Sequence, residues 1–324
     1  MMGPSHAATG AAAWLALTHW QSPIAVLHLP AELQLLGAVT TAGAAMISDW
    51  DHPRATVVHA LPPLTEWLSR GIRHVAGGHR RGTHSLVGIA AFTAIATAAA
   101  SIQVPIAGHV YTPGQGVIAA FLAAVAAKAL RLLPNRGWRA AWVLGILGAV
   151  SATVLSDGLW WIPVSVAVGV SVHILGDALT DNGVALLWPL SPEPPARLRW
   201  WQSSGRFRLP LLGRTGSWRE WALVSVVTAF TVVRAVRLVP LAARGGGGTV
   251  LSGGTRPPPP PHASGSHPAR TVASVPRGSL GRPPAARSRQ ASVSASNGHP
   301  GTRPSPSAVP SARQCTCQSR RRSP

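Results

Sequence analysis

Apolar blocks recur along the first three quarters of this chain, and their lengths limit the possible folds more than any other feature. About 20 residues of helix cross the hydrocarbon core of a bilayer. Residues 85–108 and 140–176 are the clearest blocks, and the second is long enough for two passes that turn at Asp157 and Gly158. Residues 116–133 and 221–241 follow, the latter with Arg234 and Arg237 in its second half. Residues 7–29 and 33–48 are weaker: His19, Gln21 and Pro23 interrupt the first, and the second is short. The expectation is an all-α polytopic membrane bundle with six or seven transmembrane helices. The start has no early basic residue, which makes a secretory signal a poor account of it.

Charge divides the chain. Of 324 residues, 29 are Lys or Arg and 9 are Asp or Glu, a formal charge of +20 on a chain that is 46% hydrophobic and only 12% charged. A water-soluble globule is a poor fit to that balance. From residue 245 onward there are 11 Arg and no acid, a Gly-rich start and five consecutive prolines at 257–261, with no apolar periodicity. Such a segment cannot bury enough surface to offset its ordering entropy. The expected organisation is a membrane domain over 1–244 and a disordered tail over 245–324. The tail lacks aromatic residues to stack on bases, so no specific nucleic-acid partner is expected. Cys315 and Cys317 are the only cysteines, which excludes a disulfide-built domain.

With seven passes, residues 49–84, 134–139 and 177–220 share one side with the N-terminus and hold thirteen arginines, from Arg54 to Arg219. The opposite connections, 30–32, 109–115 and 156–158, hold no Lys or Arg. The positive-inside rule makes the arginine side cytoplasmic. Trp20, Trp50, Trp138, Trp160, Trp161, Trp218 and Trp221 fall near block ends, where amphipathic rings are favoured.

On that same side four groups of His and Asp arrive, and such residues beside a bilayer call for a function. They are His6; Asp49-Trp50-Asp51-His52-Pro53; His79-Arg80-Arg81-Gly82-Thr83-His84-Ser85; and His173 to Asp181, whose spacing of four puts His173, Asp177 and Asp181 on one helix face. Imidazole and carboxylate together are the ligand set of zinc, or of manganese or iron in oxygen-rich sites. Alone, each group has a plainer reading: a terminal polar residue for His6, a helix cap for Asp49 and Asp51, interface residues for His79 and His84, a structural pair for His173 with Asp177. His19, His28, His59, His74 and His109 show no comparable grouping and read as structural or surface residues.

The order of these elements, closed by Leu187-Trp188-Pro189, resembles the YdjM-like family of bacterial inner-membrane, metal-dependent hydrolases over roughly residues 1–215. The resemblance implies a multi-pass membrane protein with hydrolase activity; some relatives are described as under the control of the LexA repressor. Carried over by position, His6, Asp49, Asp51, His52, His79, His84 and Asp177 are the matching polar residues, with His173 beside them. The expectation is that His6, Asp49, His79, His84, His173 and Asp177 hold one or two divalent metals, zinc first. Asp51 or His52 would act as general base, and Arg80 or Arg81 would orient an anionic group. The expected substrate is an ester or phosphoester of a lipid-linked or amphiphilic molecule at the cytoplasmic face, with membrane lipids as partners. The alternatives are a proton or metal-ion transporter and a noncatalytic scaffold with a structural metal.

Overall fold

The computed structural model describes residues 1–245 apart from 20–21, 25, 108, 134–136, 156–159 and 193–199. Residues 246–324, read above as a disordered tail, lie outside the described residues. So do Trp20, Arg136, Arg197, Arg199 and the connection 156–158.

Each of the six apolar blocks overlaps a helix, and the block at 140–176 overlaps two. These are α1 (Gly3–Thr18), α2 (Ala31–Ala44), α4 (Leu86–Ala100), α5 (Pro113–Ala129), α6 (Trp138–Leu155), α7 (Ile162–Ala178) and α8 (Trp218–Gly245). Proline in the first turn of α1, α5 and α7 fits positions whose N–H has no helical partner. Ser85 caps α4 by accepting the Gly88 amide at 3.2 Å. The first block is shorter as a helix than as a sequence. α1 stops at Thr18, and the chain turns back so that Val26 and Leu27 donate to the Leu17 carbonyl.

Two elements lie in the connections. A short hairpin, β1 (Val104–Ile106) with β2 (His109–Tyr111), joins α4 to α5. Helix α3 (Leu64–Val75) stands between the Asp49 and His79 groups. Its Leu64, Trp67, Leu68 and Val75 are exposed while Thr65 and Ser69 are buried, so its apolar stripe faces away from the protein.

α2 is the central helix, packing against α1, α5, α7 and α8. Its sequence, AELQLLGAVTTAGA, is largely small residues, which let helix backbones approach closely. A Cβ on Gly43 would run into the Leu122 carbonyl of α5, and one on Gly169 of α7 would sit 2.6 Å from Ala44 Cβ. Thr40 and Thr41 each lie 3.0 Å from Ser165 Oγ of α7, so these hydroxyls are paired across the helices. Trp14 and Trp161, both fully buried, meet with ring centres 5.6 Å apart.

The outer surface is apolar. Val87 and Ile95 of α4, Val143 and Leu147 of α6, and Val226, Val232, Val236 and Val239 of α8 are all exposed. Among the described residues one helix, over Trp218–Ala243, is long and apolar enough to cross a membrane by itself. The other helices from apolar blocks run 14 to 18 residues.

A candidate metal centre

Five elements bring the polar groups together. His6 comes from α1, Asp49 and Asp51 from the 3-10 turn Ile47–Asp51 that follows α2, and His79 and Arg80 from the loop after α3. His84 ends the 3-10 turn Gly82–His84, and His173 and Asp177 lie on the last turns of α7. His6, Asp51, His84, His173 and Asp177 are at most 1% exposed. Gly176 makes room for α1 here, because a Cβ on it would stand 3.3 Å from the His6 ring and closer still to Met1.

The hydrogen bonds fix which nitrogen each histidine presents. His173 Nδ1 lies 2.5 Å from the Ala45 carbonyl, which can only accept, so Nδ1 carries the proton and Nε2 a lone pair. Thr83 donates its hydroxyl to Asp51 Oδ2 at 2.7 Å, so its oxygen must accept from His84 Nδ1 at 2.9 Å, and His84 Nε2 also presents a lone pair. His79 Nδ1 donates to Asp51 Oδ1 at 2.9 Å, with the same consequence. An imidazole held through one N–H by a carbonyl, hydroxyl or carboxylate, with the other nitrogen free, is how metal-ligating histidines are oriented.

The free atoms converge. His84 Nε2 and His173 Nε2 are 3.1 Å apart, and Asp49 Oδ1 is 3.4 and 3.6 Å from them. Asp177 Oδ2 is 3.7 and 3.9 Å from the same two nitrogens. Corners of a tetrahedron with bonds of about 2.0–2.1 Å, as around zinc, are about 3.3 Å apart. Four acceptors at such distances repel unless a cation or protons lie among them, so the donor set fits a metal. His6 Nε2 approaches Asp177 Oδ1 at 3.2 Å and its ring stacks on His173 with centres 3.7 Å apart. His6, His173 and Asp177 therefore form one group that could hold a metal ion, and Asp49, His79 and His84 another.

Charge is balanced from outside. Arg80 donates from Nη2 to both Asp177 oxygens at 3.1 Å, and the Met1 amino group lies 2.6 Å from Asp177 Oδ1. With protons rather than a cation among these atoms, burial pushes the Asp49 carboxyl up, but the protonated imidazoles of His173 and His84 outweigh this and hold it well below the usual carboxylate range. Burial pulls the His84 imidazole down against the opposing influence of the Asp49 carboxylate, which favours a proton on the ring. His52 stands at the rim, half-buried, its ring 4.8 Å from that of His79, with its pKa lowered chiefly by burial.

Two sequence expectations need correction. Asp181 does not continue the His173–Asp177 face, because α7 ends at Ala178 and the Asp181 amide bonds to the Gly213 carbonyl instead. Arg80 and Arg81, treated above as equivalent, separate: Arg80 adopts a left-handed backbone, φ 61°, and reaches Asp177, while Arg81 is exposed and reaches a different cleft. Sequence reading also missed Thr83 as the link between Asp51 and His84. The residue stood inside the quoted element, but its type alone does not disclose a partner 32 residues away.

A helical bundle with an apolar exterior and a buried His/Asp cluster defines a membrane protein with a candidate metal centre. The chain matches the YdjM inner membrane protein family over residues 1–241 and belongs to that family. Comparison with curated proteins and with solved structures returns no significant match.

Proposed function

We propose that this chain is a metal-dependent hydrolase that crosses the inner membrane several times and acts at the cytoplasmic headgroup level. Its substrate would be an ester or phosphoester of an amphiphilic or lipid-linked molecule. The observation that carries the reading is the convergence of two imidazole nitrogens, His84 Nε2 and His173 Nε2, each oriented through its Nδ1–H, on Asp49 and Asp177. His84, His173, Asp49 and Asp177 would hold the cation, with His6 and His79 completing the two groups; the ligand set suits zinc first, with manganese or iron as alternatives. When bound, such a cation lowers the pKa of a coordinated water to roughly 7 and polarises the bond under attack.

The other roles belong to this chain. Asp51, which accepts from both Thr83 and His79, positions two imidazoles and keeps lone pairs with which it could also serve as general base. His52, whose Nδ1 accepts the Arg54 amide at 3.3 Å, is the imidazole at the rim that exchanges protons with water. An apolar groove of about 690 Å³, lined by Leu86, Ile89, Thr93, Thr97 and Ala167, begins two residues from His84 and supports an amphiphilic substrate. The outward apolar stripe of α3, between two of the site's segments, supports a position at the membrane surface.

The test is elemental analysis of detergent-purified protein, with phosphoesterase and esterase assays before and after chelation. Stoichiometric metal and chelator-sensitive hydrolysis are expected. Metal-free protein whose activity ignores chelators would end the hydrolase reading.

A further inference from the structure

Beside Arg80 a second polar site opens. Arg81, Trp188, Ser191, Gln202, Ser204 and Arg206 line a cleft of about 230 Å³. Its walls are two loops, one after α7 and one before α8, paired by Val184 and Phe207 through amide-to-carbonyl bonds of 3.0 and 2.8 Å. The loop bearing Arg80 and Arg81 is joined to them by the Ala185 amide, 3.3 Å from the Arg80 carbonyl. A turn sets Arg206: Gln202 N donates to Arg206 O at 2.8 Å, and Gly205 N to Gln202 O at 2.9 Å. Gly205 has φ 75°, and a Cβ there would lie 3.4 Å from Ser191, so the two walls are in close register.

Among the described residues, the cleft lining is rich in donors and holds no carboxylate. Arg80 is paired with Asp177, but neither Arg81 nor Arg206 has a carboxylate partner among the described residues. Burial, then the like charges of Arg80 and Arg81, lower the Arg206 pKa, so the cations are gathered at a cost. Trp188 adds an indole N–H and Ser191 a hydroxyl, while Ser204 donates its hydroxyl to Gln202 Oε1 at 3.4 Å, which leaves the Gln202 amide N–H groups to donate. Paired guanidinium forks with neutral donors suit an anion with several acceptor oxygens. The same loop places the cleft beside the apolar groove, since the Leu86 amide donates to the Leu186 carbonyl at 3.0 Å.

We propose that this cleft binds a phosphate group of the substrate, carried on a lipid headgroup or free, with Arg81 and Arg206 as its principal contacts. The assignment deepens the hydrolase reading and rests on it for the word substrate. The binding itself is separable from that reading. Full-length protein in detergent is titrated calorimetrically with inorganic phosphate, with phosphatidate and with diacylglycerol, before and after chelation, and metal content is measured on the same samples.

Phosphatidate is expected to bind and diacylglycerol not. Arg206→Gln should weaken binding at least about tenfold, as loss of a charge-assisted contact does, with metal content unchanged. Arg81→Gln, at an exposed position, should do the same if Arg206→Gln does not fold. Equal Arg206 dependence for inorganic phosphate would show that the anion alone suffices; binding of phosphatidate only would assign the site to a lipid headgroup. Binding that persists in chelated or metal-free protein supports the cleft even if the metal reading fails. Protein that retains metal but binds neither phosphate ligand, or binds them unchanged in both arginine variants, overturns the cleft and leaves the metal centre standing.

Discussion

His84 and His173 meet Nε2 to Nε2 at 3.1 Å although 89 residues separate them, one at the foot of α4 and the other near the end of α7. With each Nδ1–H committed to an oxygen, the contact is stable only with a proton or a metal ion between or beside the two nitrogens. His84→Ala and His173→Ala should each reduce bound metal from stoichiometric to background, read by elemental analysis. Retention of full metal by both variants would place the ion elsewhere.

Thr83 acts through its neighbours. It holds His84 by accepting from Nδ1 and is itself held by Asp51 at 2.7 Å. Thr83→Val keeps the shape but removes both bonds, and metal affinity should fall about 10- to 100-fold, the usual effect of removing an orienting partner. Thr83→Ser should recover most of it. Competition with a chelator of known affinity measures both; equal losses in the two variants would mean that packing, not the hydroxyl, matters.

Gly169 sets the distance between α7 and α2 one turn before His173. An alanine there would press on Ala44, on the Ala45 amide at 2.7 Å and on the Thr41 carbonyl at 2.8 Å. Gly169→Ala should cost about 1–3 kcal/mol as overpacking and should also weaken metal binding, because His173 bonds the Ala45 carbonyl across the same contact. A thermal melt in detergent and metal content should fall together. Lower stability with unaltered metal content would uncouple the helix contact from the site.

Glu220, fully buried at the start of α8, accepts the Met2 amide at 2.6 Å and the Gly216 amide at 2.8 Å. Glu220→Ala strands two donors and should destabilise the protein by about 3 kcal/mol, seen as a melting midpoint several degrees lower. An unchanged midpoint would show that water reaches those amides.

The multi-pass reading predicts opposite sides for Arg54, whose amide bonds His52 at the rim of the His/Asp cluster, and Val110, in the β hairpin. With Cys315 and Cys317 replaced by serine, Arg54→Cys should be labelled by a membrane-impermeant maleimide only after the inner membrane is opened, and Val110→Cys before. Labelling of both from one side would refute the topology.

Much of the helical framework was legible because apolar run length and proline placement act locally, within a turn or two of chain. That is why α4 to α8 each overlap a block read from apolar run length, while α1 stops at Thr18, before the interrupting His19, and not at residue 29 where the block ends. Helix α3 was not anticipated because Glu66, Arg70 and Arg73 break up its apolar run along the chain, although Leu64, Trp67, Leu68 and Val75 form one stripe at helical spacing.

The sequence by itself determined which residues could ligate a metal and that they cluster in four short segments. Only the tertiary structure decided which nitrogen each imidazole offers, that Arg80 serves Asp177 while Arg81 turns to the cleft, that Asp181 stands apart, and that Arg206 joins them. The physical reason is range. A tautomer is set by whatever accepts the other N–H, and for His173 that acceptor is a carbonyl 128 residues away, a distance along the chain over which no local pattern carries information.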